Sequence, residues 1–143
     1  MSDDLKRHYD AFTLAAGYVV LEDRCFVRLT GSDRQAFFHN FCTNDIKQLE
    51  SGQVCEAFVL NSKGKILGFV HAIASDDELL LTGHGDQAPT LLAHLDLYLI
   101  REDVDLADAT HELAAVFICG DQASDILAAI GIEVPVKDHV SEQ

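Results

Sequence analysis

Basic side chains are scarce: ten Lys and Arg stand against twenty-four Asp and Glu in 143 residues, for a formal net charge of −14. Such a field repels DNA, RNA and anionic lipid surfaces, so neither nucleic acid nor a membrane is an expected partner. An anionic small molecule is left only those places where several of the few cations, or backbone N–H groups, converge. No apolar stretch approaches the roughly 20 residues of a membrane span, and the N-terminal MSDDLKRHYD has no signal-peptide core. Paired cysteines are missing too. Cys25, Cys42, Cys55 and Cys119 form no CxxC and mostly sit in apolar runs, as buried free thiols do, so a reducing cytoplasm is the expected home.

The signatures of several reaction classes are absent as well. There is no P-loop, and Gly83 and Gly85 precede a helix without the third glycine of a dinucleotide loop. His8, His39, His71, His84, His94, His111 and His139 show none of the paired spacings that put two metal ligands on one face; His71, inside an apolar strand, reads as a satisfied core or edge imidazole. No Ser lies in a GxSxG turn, and no Cys is paired in sequence with an activating His. No metal ligand and no catalytic residue is therefore assigned.

What is present is an ordinary globular balance, 48% hydrophobic against 24% charged, at the usual length of one domain. Gly17 to Glu22 and Cys25 to Thr30 are β-rich and separated only by Asp23 and Arg24, which predicts a hairpin. Ser32, three residues before Gln35, has the spacing of a capping box. It predicts a helix carrying Ala36, Phe37 and Phe41 and ending near Thr43, Asn44 and Asp45. Val54 to Leu60, Lys65 to Ala74 and Glu78 to Thr82, divided by turn residues, predict a three-stranded antiparallel meander. Ala88, Leu91, Leu92, Leu95 and Leu99 recur at helical spacing and predict a helix from about Asp86 to Ile100, with Pro89 in its first turn. Asp103 to Asp108 and Glu112 to Cys119 read as a second strand pair, and a helix follows from Asp121 to Gly131. Residues 1–16 and 132–143 read as surface segments.

Two stretches look alike: Val27, Leu29, Gly31, Asp33, Ala36 and later Val116, Ile118, Gly120, Asp121, Ala123. Each is a strand that ends in Gly and enters a helix through an acidic residue. The expected fold class is α+β, a mainly antiparallel sheet with flanking helices, in about one and a half copies of a β2-α-β3-α unit. Half a unit exposes apolar faces and sheet edges, so a second copy of the chain or a missing C-terminal half is expected to cover them.

Chemistry concentrates at Asn61, Ser62, Lys63, Gly64, Lys65, Ile66, Leu67, Gly68 and Phe69, where two of the ten cations flank a glycine between strands. A flat ligand can approach the backbone at Gly64 while the lysines meet its carboxylates. Equally, this is the composition of a plain hairpin whose lysines protect a sheet edge. The residues alone leave both readings open.

The text Arg28-Leu-Thr-Gly-Ser-Asp-Arg-Gln-Ala-Phe-Phe, then Phe41-Cys-Thr-Asn-Asp-Ile, Leu60-Asn-Ser-Lys-Gly-Lys-Ile-Leu and Ile118-Cys-Gly-Asp-Gln-Ala resembles the N-terminal folate-binding region of the glycine-cleavage T-protein and its YgfZ-like relatives. The resemblance runs from Gly17 to about Gly131. It implies a duplicated α+β unit with exchanged strands, tetrahydrofolate as cofactor, and a chain that is an N-terminal fragment or a short relative of longer proteins. It also implies a pocket lined by Asn61, Lys63, Gly64, Lys65 and Phe69, with Thr43 and Asn44 nearby. The T-protein carries two aspartates where this chain has Gly68 and Phe69, and the second acts on the folate during aminomethyl transfer. Phe69 offers a pterin ring only stacking. Lys63-Gly64-Lys65 is similar to the YgfZ branch, whose members bind tetrahydrofolate and support assembly or repair of iron–sulfur enzymes. A folate-binding domain without transferase activity is thus the leading expectation. An aminomethyltransferase completed by a partner, and a protein-interaction module without ligand, are the alternatives.

Overall fold

The computed structural model describes residues 3–132. They form, in order, α1 (Asp3–Leu14), β1 (Gly17–Leu21), β2 (Arg24–Thr30), α2 (Arg34–His39), β3 (Val54–Leu60), β4 (Ile66–Ala74), β5 (Glu78–His84), α3 (Ala88–Asp96), β6 (Asp105–Asp108), β7 (Ala115–Cys119) and α4 (Ala123–Ala129). The fold is a mixed α+β arrangement of antiparallel sheets with flanking helices. The chain divides into two compact units, Glu22–Ala115 and a second one that joins residues 1–21 to 116–143.

The larger unit holds a five-stranded sheet in the order β3-β4-β5-β2-β6. The meander forms as its turn chemistry predicts, because Asn61-Ser-Lys-Gly and Ser75-Asp-Asp are surface turns between strands that alternate buried and exposed positions. Val59, Val70, Ala72, Leu79, Leu81, Val27 and Leu29 project from one face into a single core with Phe37 and Phe38 of α2, Ile46, and Leu91 and Leu95 of α3. Phe38 and Leu95 are wholly buried, and each such side chain stabilises the fold by about 1.5–3 kcal/mol. Pro89 falls in the first turn of α3, where its missing N–H costs nothing.

Three local expectations give way. The Gly17–Thr30 hairpin does not form: β1 pairs with β7, while β2 lies between β5 and β6. A two-residue hairpin turn needs positive φ at its central residues, and among the described residues no non-glycine, Asp23 and Arg24 included, has it. Asp23 instead lies opposite the end of β5, where its carbonyl oxygen accepts from the Gly85 N–H at 3.3 Å. The capping box does not close either. Ser32 donates its N–H and its hydroxyl to Asp103 Oδ2 at 3.0 and 2.9 Å, Asp33 is the N-cap, and α2 stops at His39. Finally, β6 and β7 do not pair with each other, since β6 completes the edge beside β2.

The described residues of the smaller unit form α1, the β1–β7 ribbon and α4. No residue of α1 or α4 is buried, and Tyr18, Val19, Val20, Val116 and Phe117 are exposed along the two strands. The two similar sequence stretches behave alike. Gly31 (φ 96°) and Gly120 (φ 111°) each end a strand in the left-handed region that favours glycine. Two residues later, Asp33 N–H donates to Asp103 O at 3.2 Å and Gln122 N–H to Ala15 O at 2.8 Å. In each case the acceptor lies two residues before a strand, β6 or β1, that pairs with the strand the glycine ends. The part of the expected terminal surface segment beyond residue 132 lies outside the described residues.

Candidate functional site

The site is built around the β3–β4 hairpin. Asn61 makes its turn: its N–H donates to Lys65 O at 2.9 Å, and its Oδ1 accepts from the N–H groups of Lys63 and Lys65, both at 3.0 Å. The side-chain oxygen of Asn61 is thereby used internally. Gly64 sits at φ 74° with open space where a Cβ would stand, and Lys63 and Lys65 are solvent-exposed beside it.

Thr43 and Asn44 lie along the outer edge of β3. Thr43 exchanges two bonds with Phe58, its N–H to Phe58 O at 3.1 Å and Phe58 N–H to its Oγ1 at 3.0 Å. Asn44 Nδ2 donates to Glu56 O at 3.0 Å. Together with the Cys42–Val59 bridge, these bonds tie the post-α2 segment to the sheet edge. Both side chains thus hold the backbone of β3 in place, and their polar atoms at these bonds are already engaged.

Phe69 belongs to the sheet face that α2 and α3 leave uncovered. The register sets Phe58 opposite Phe69 and Glu56 opposite His71. The two phenyl rings are tilted with centroids 5.2 Å apart, the His71 ring stands edge-on to Phe69 at 5.4 Å, and His71 Nε2 lies 3.3 Å from Glu56 Oε1. Phe58 is 42% exposed and Phe69 38%. Sequence reasoning singled out Phe69 and missed Phe58, Glu56 and His71. Strand alternation alone puts Glu56 and Phe58 on one face of β3, but the pairing needs the bulge between Val59 and Leu60, which shifts the register by one residue.

Gly68 points the other way. A Cβ there would lie 2.8 Å from Gln87 Oε1 and 3.3 Å from Leu91 Cδ2, so a side chain at this position would have to move the end of the Gln87 side chain and press on Leu91. Gln87 Oε1 is itself buried without a hydrogen-bond partner. On the α3 side of the turn, Asn61 and Ser62 also border a cleft of about 250 Å³ with Phe41, His94 and Tyr98. His94 is nearly buried there, with Nε2 3.1 Å from Leu60 O, and its ring meets Phe41 and Tyr98 edge-on.

Neither Cys42 nor Cys55 offers an activated nucleophile. Burial pushes the Cys42 thiol up, and burial likewise raises that of Cys55, which keeps both in the protonated form. Among the described residues no group of three or more His, Cys, Asp or Glu side chains converges to hold a metal ion, and no helix is long and apolar enough to cross a membrane.

Comparison with known proteins places this geometry. Residues 5–140 match the family model described as the GCVT N-terminal domain. A putative chloroplastic transferase of Arabidopsis thaliana is 24% identical over 124 residues, which are 86% of this chain and 29% of that protein. The tRNA-modifying protein YgfZ of Yersinia enterocolitica is 26% identical over 121 residues, 85% of this chain and 36% of that protein. Among solved structures, the glycine cleavage system aminomethyltransferase T from Bartonella henselae superposes with a TM-score of 0.73 at 19% identity, over 93% of this chain and 36% of that one. The chain therefore spans about a third of the length of each of these proteins.

Proposed function

The chain belongs to the GCVT N-terminal domain family, and from that premise we propose that it is a tetrahydrofolate-binding domain of YgfZ type that holds folate without transferring an aminomethyl group. The observation that carries the reading is the Phe58–Phe69 ring pair, half-exposed on the open sheet face and followed along the hairpin by the Lys63–Gly64–Lys65 turn. A pterin stacks on the rings. The glutamate carboxylates of the ligand meet the two ammonium groups, among the few cations in an acidic chain. Asn61, Thr43 and Asn44 act by shaping the turn and fixing β3, and Gly64 leaves the turn open to a flat ligand.

Loss of transfer chemistry follows from Phe69, which stands where the resemblance expects the acting aspartate and has no group to take up a proton or stabilise positive charge. Support for iron–sulfur enzymes belongs to the same proposal, by analogy with the YgfZ branch. The YgfZ relative is described as tRNA-modifying; at a net charge of −14 this chain is a poor surface for tRNA itself. The uncovered apolar residues of the β1–β7 ribbon favour a covering partner, either a second copy or the downstream part of a longer protein.

Calorimetric titration of tetrahydrofolate into the chain tests the reading, and binding with saturation is expected. No detectable heat or shift at millimolar ligand rejects it. In that event, stable capture of a protein partner supports the interaction-module reading. Folate-dependent turnover of an aminomethyl donor supports the transferase reading instead.

A further inference from the structure

Resting on the folate reading above, we propose that Glu56, oriented by His71, reads the edge of the pterin: its carboxylate accepts the N3–H and 2-amino hydrogens of a 2-amino-4-oxopyrimidine ring stacked on Phe69 and Phe58. Nothing in the sequence singled out this pair, and it emerges only from the cross-strand register.

The hairpin is polar along its length. Glu56 and His71 face each other at one level, Phe58 and Phe69 at the next, and Lys63 to Lys65 form the turn beyond them. Successive same-face residues on a strand are about 6.6 Å apart, so the acidic pair lies one side-chain step from the rings. Folate has the matching order: two adjacent N–H donors on the pterin edge, then aromatic rings, then carboxylates. In the one orientation that meets the lysines with the carboxylates, the pterin edge arrives at Glu56.

The carboxylate suits that edge. An ionised Glu is an acceptor with about four lone-pair sites, and the approach of His71 Nε2 to Oε1 at 3.3 Å leaves room at the carboxylate for a ligand's donors. Two parallel N–H bonds from a planar partner are the arrangement in which a carboxylate is both strong and selective. The phenyl rings supply contact with any flat ring and so do not choose among them. Asn44 fixes the backbone of Glu56 from the outer edge, and Phe69 packs against the His71 ring, so the pair is held from both strands. Glu56 touches the ligand, whereas His71 acts through it as a positioning residue.

The test uses the full chain, with far-UV circular dichroism to confirm that each variant folds. Tetrahydrofolate is expected to bind Glu56→Gln about tenfold more weakly than the parent, roughly 1.4 kcal/mol. Pterin is expected to outcompete lumazine, which carries an oxo group in place of the 2-amino group, by about tenfold in the parent and hardly at all in Glu56→Gln. His71→Ala is expected to lower the same pterin-over-lumazine ratio while leaving binding of p-aminobenzoylglutamate, the tail without the pterin, unchanged. If Glu56→Gln keeps parental affinity and selectivity while Phe69→Ala loses affinity, the assignment of Glu56 is overturned and the folate reading stands. If the parent binds no tetrahydrofolate, both are overturned. Guanosine shares the same donor edge, and tighter binding of guanosine than of tetrahydrofolate would transfer the site to nucleosides and overturn the proposal.

Discussion

Gly68 is where the structure yields its sharpest quantitative expectation. Its backbone is not among the left-handed glycines, so a side chain is excluded there only by what surrounds it. Those neighbours are Gln87 Oε1, 2.8 Å from the Cβ position, and Leu91 Cδ2 at 3.3 Å. Forcing a methyl into a packed site costs about 1–3 kcal/mol, offset by up to about 1 kcal/mol from the lost flexibility of the unfolded chain. Because the nearest atom is the movable end of the Gln87 side chain, the cost falls at the low end of that range, and Gly68→Ala should destabilise by about 1 kcal/mol, a drop in Tm of roughly 4–8 °C for a unit of this size. In a Gln87→Ala background the nearest obstacle is gone and the cost should fall below about 0.5 kcal/mol, a coupling of about 0.5–1 kcal/mol in a double-mutant cycle read by urea denaturation. An identical cost of Gly68→Ala in both backgrounds would refute the argument. Gly68→Asp should lose more than Ala, because a carboxylate would be desolvated against a carbonyl oxygen that already lacks a donor. An acid at the first of the two positions that the resemblance points to would therefore have to displace the end of the Gln87 side chain and press on Leu91. The second position, Phe69, opens onto the uncovered face.

Phe69→Ala should cost about 1 kcal/mol through its ring contact with Phe58 and weaken tetrahydrofolate by about tenfold or more; calorimetry showing unchanged affinity would remove stacking from the reading. Gly31→Ala should cost more than about 2 kcal/mol, since its Cβ would run into the Asp103 carbonyl oxygen at positive φ; a neutral denaturation midpoint would contradict this. The Ser32 N–H and hydroxyl hold the Asp103 carboxyl below its ordinary value. A depressed pKa contributes stability that is present above the ordinary range and lost as pH falls through the folded value, below about pH 4. Asp103→Asn should therefore flatten part of the acid limb of stability against pH, and an unaltered limb counts against the bond. Amides of β1 and β7 should exchange faster than those of β4 and β5, because neither α1 nor α4 buries a residue; equal protection by hydrogen exchange would show that something covers the ribbon.

The meander, α3 and the alternating core faces of β3 to β5 were readable along the chain, because period-2 alternation, Pro89 and turn residues such as Asn61 and Gly64 act over a few residues. Strand partnership was not readable. Gly17–Leu21 and Arg24–Thr30 look like a hairpin to any local rule, yet β2 is buried at Cys25, Phe26, Val27 and Leu29 and needs neighbours at both edges, which β5 supplies from about fifty residues away and β6 from more than seventy. Ser32 likewise met every local requirement of a capping box and was taken by Asp103, seventy-one residues on.

The candidate site divides along the same line. Its lysines, glycine and phenylalanine are properties of one short segment, and so could be named from composition and turn chemistry. Its other half, Phe58 and the Glu56–His71 pair, exists only through a register that a single bulge sets. Local propensity acts between neighbours in the chain, whereas the choice of which strands meet, and in which register, is made by burying apolar faces together across the whole sheet.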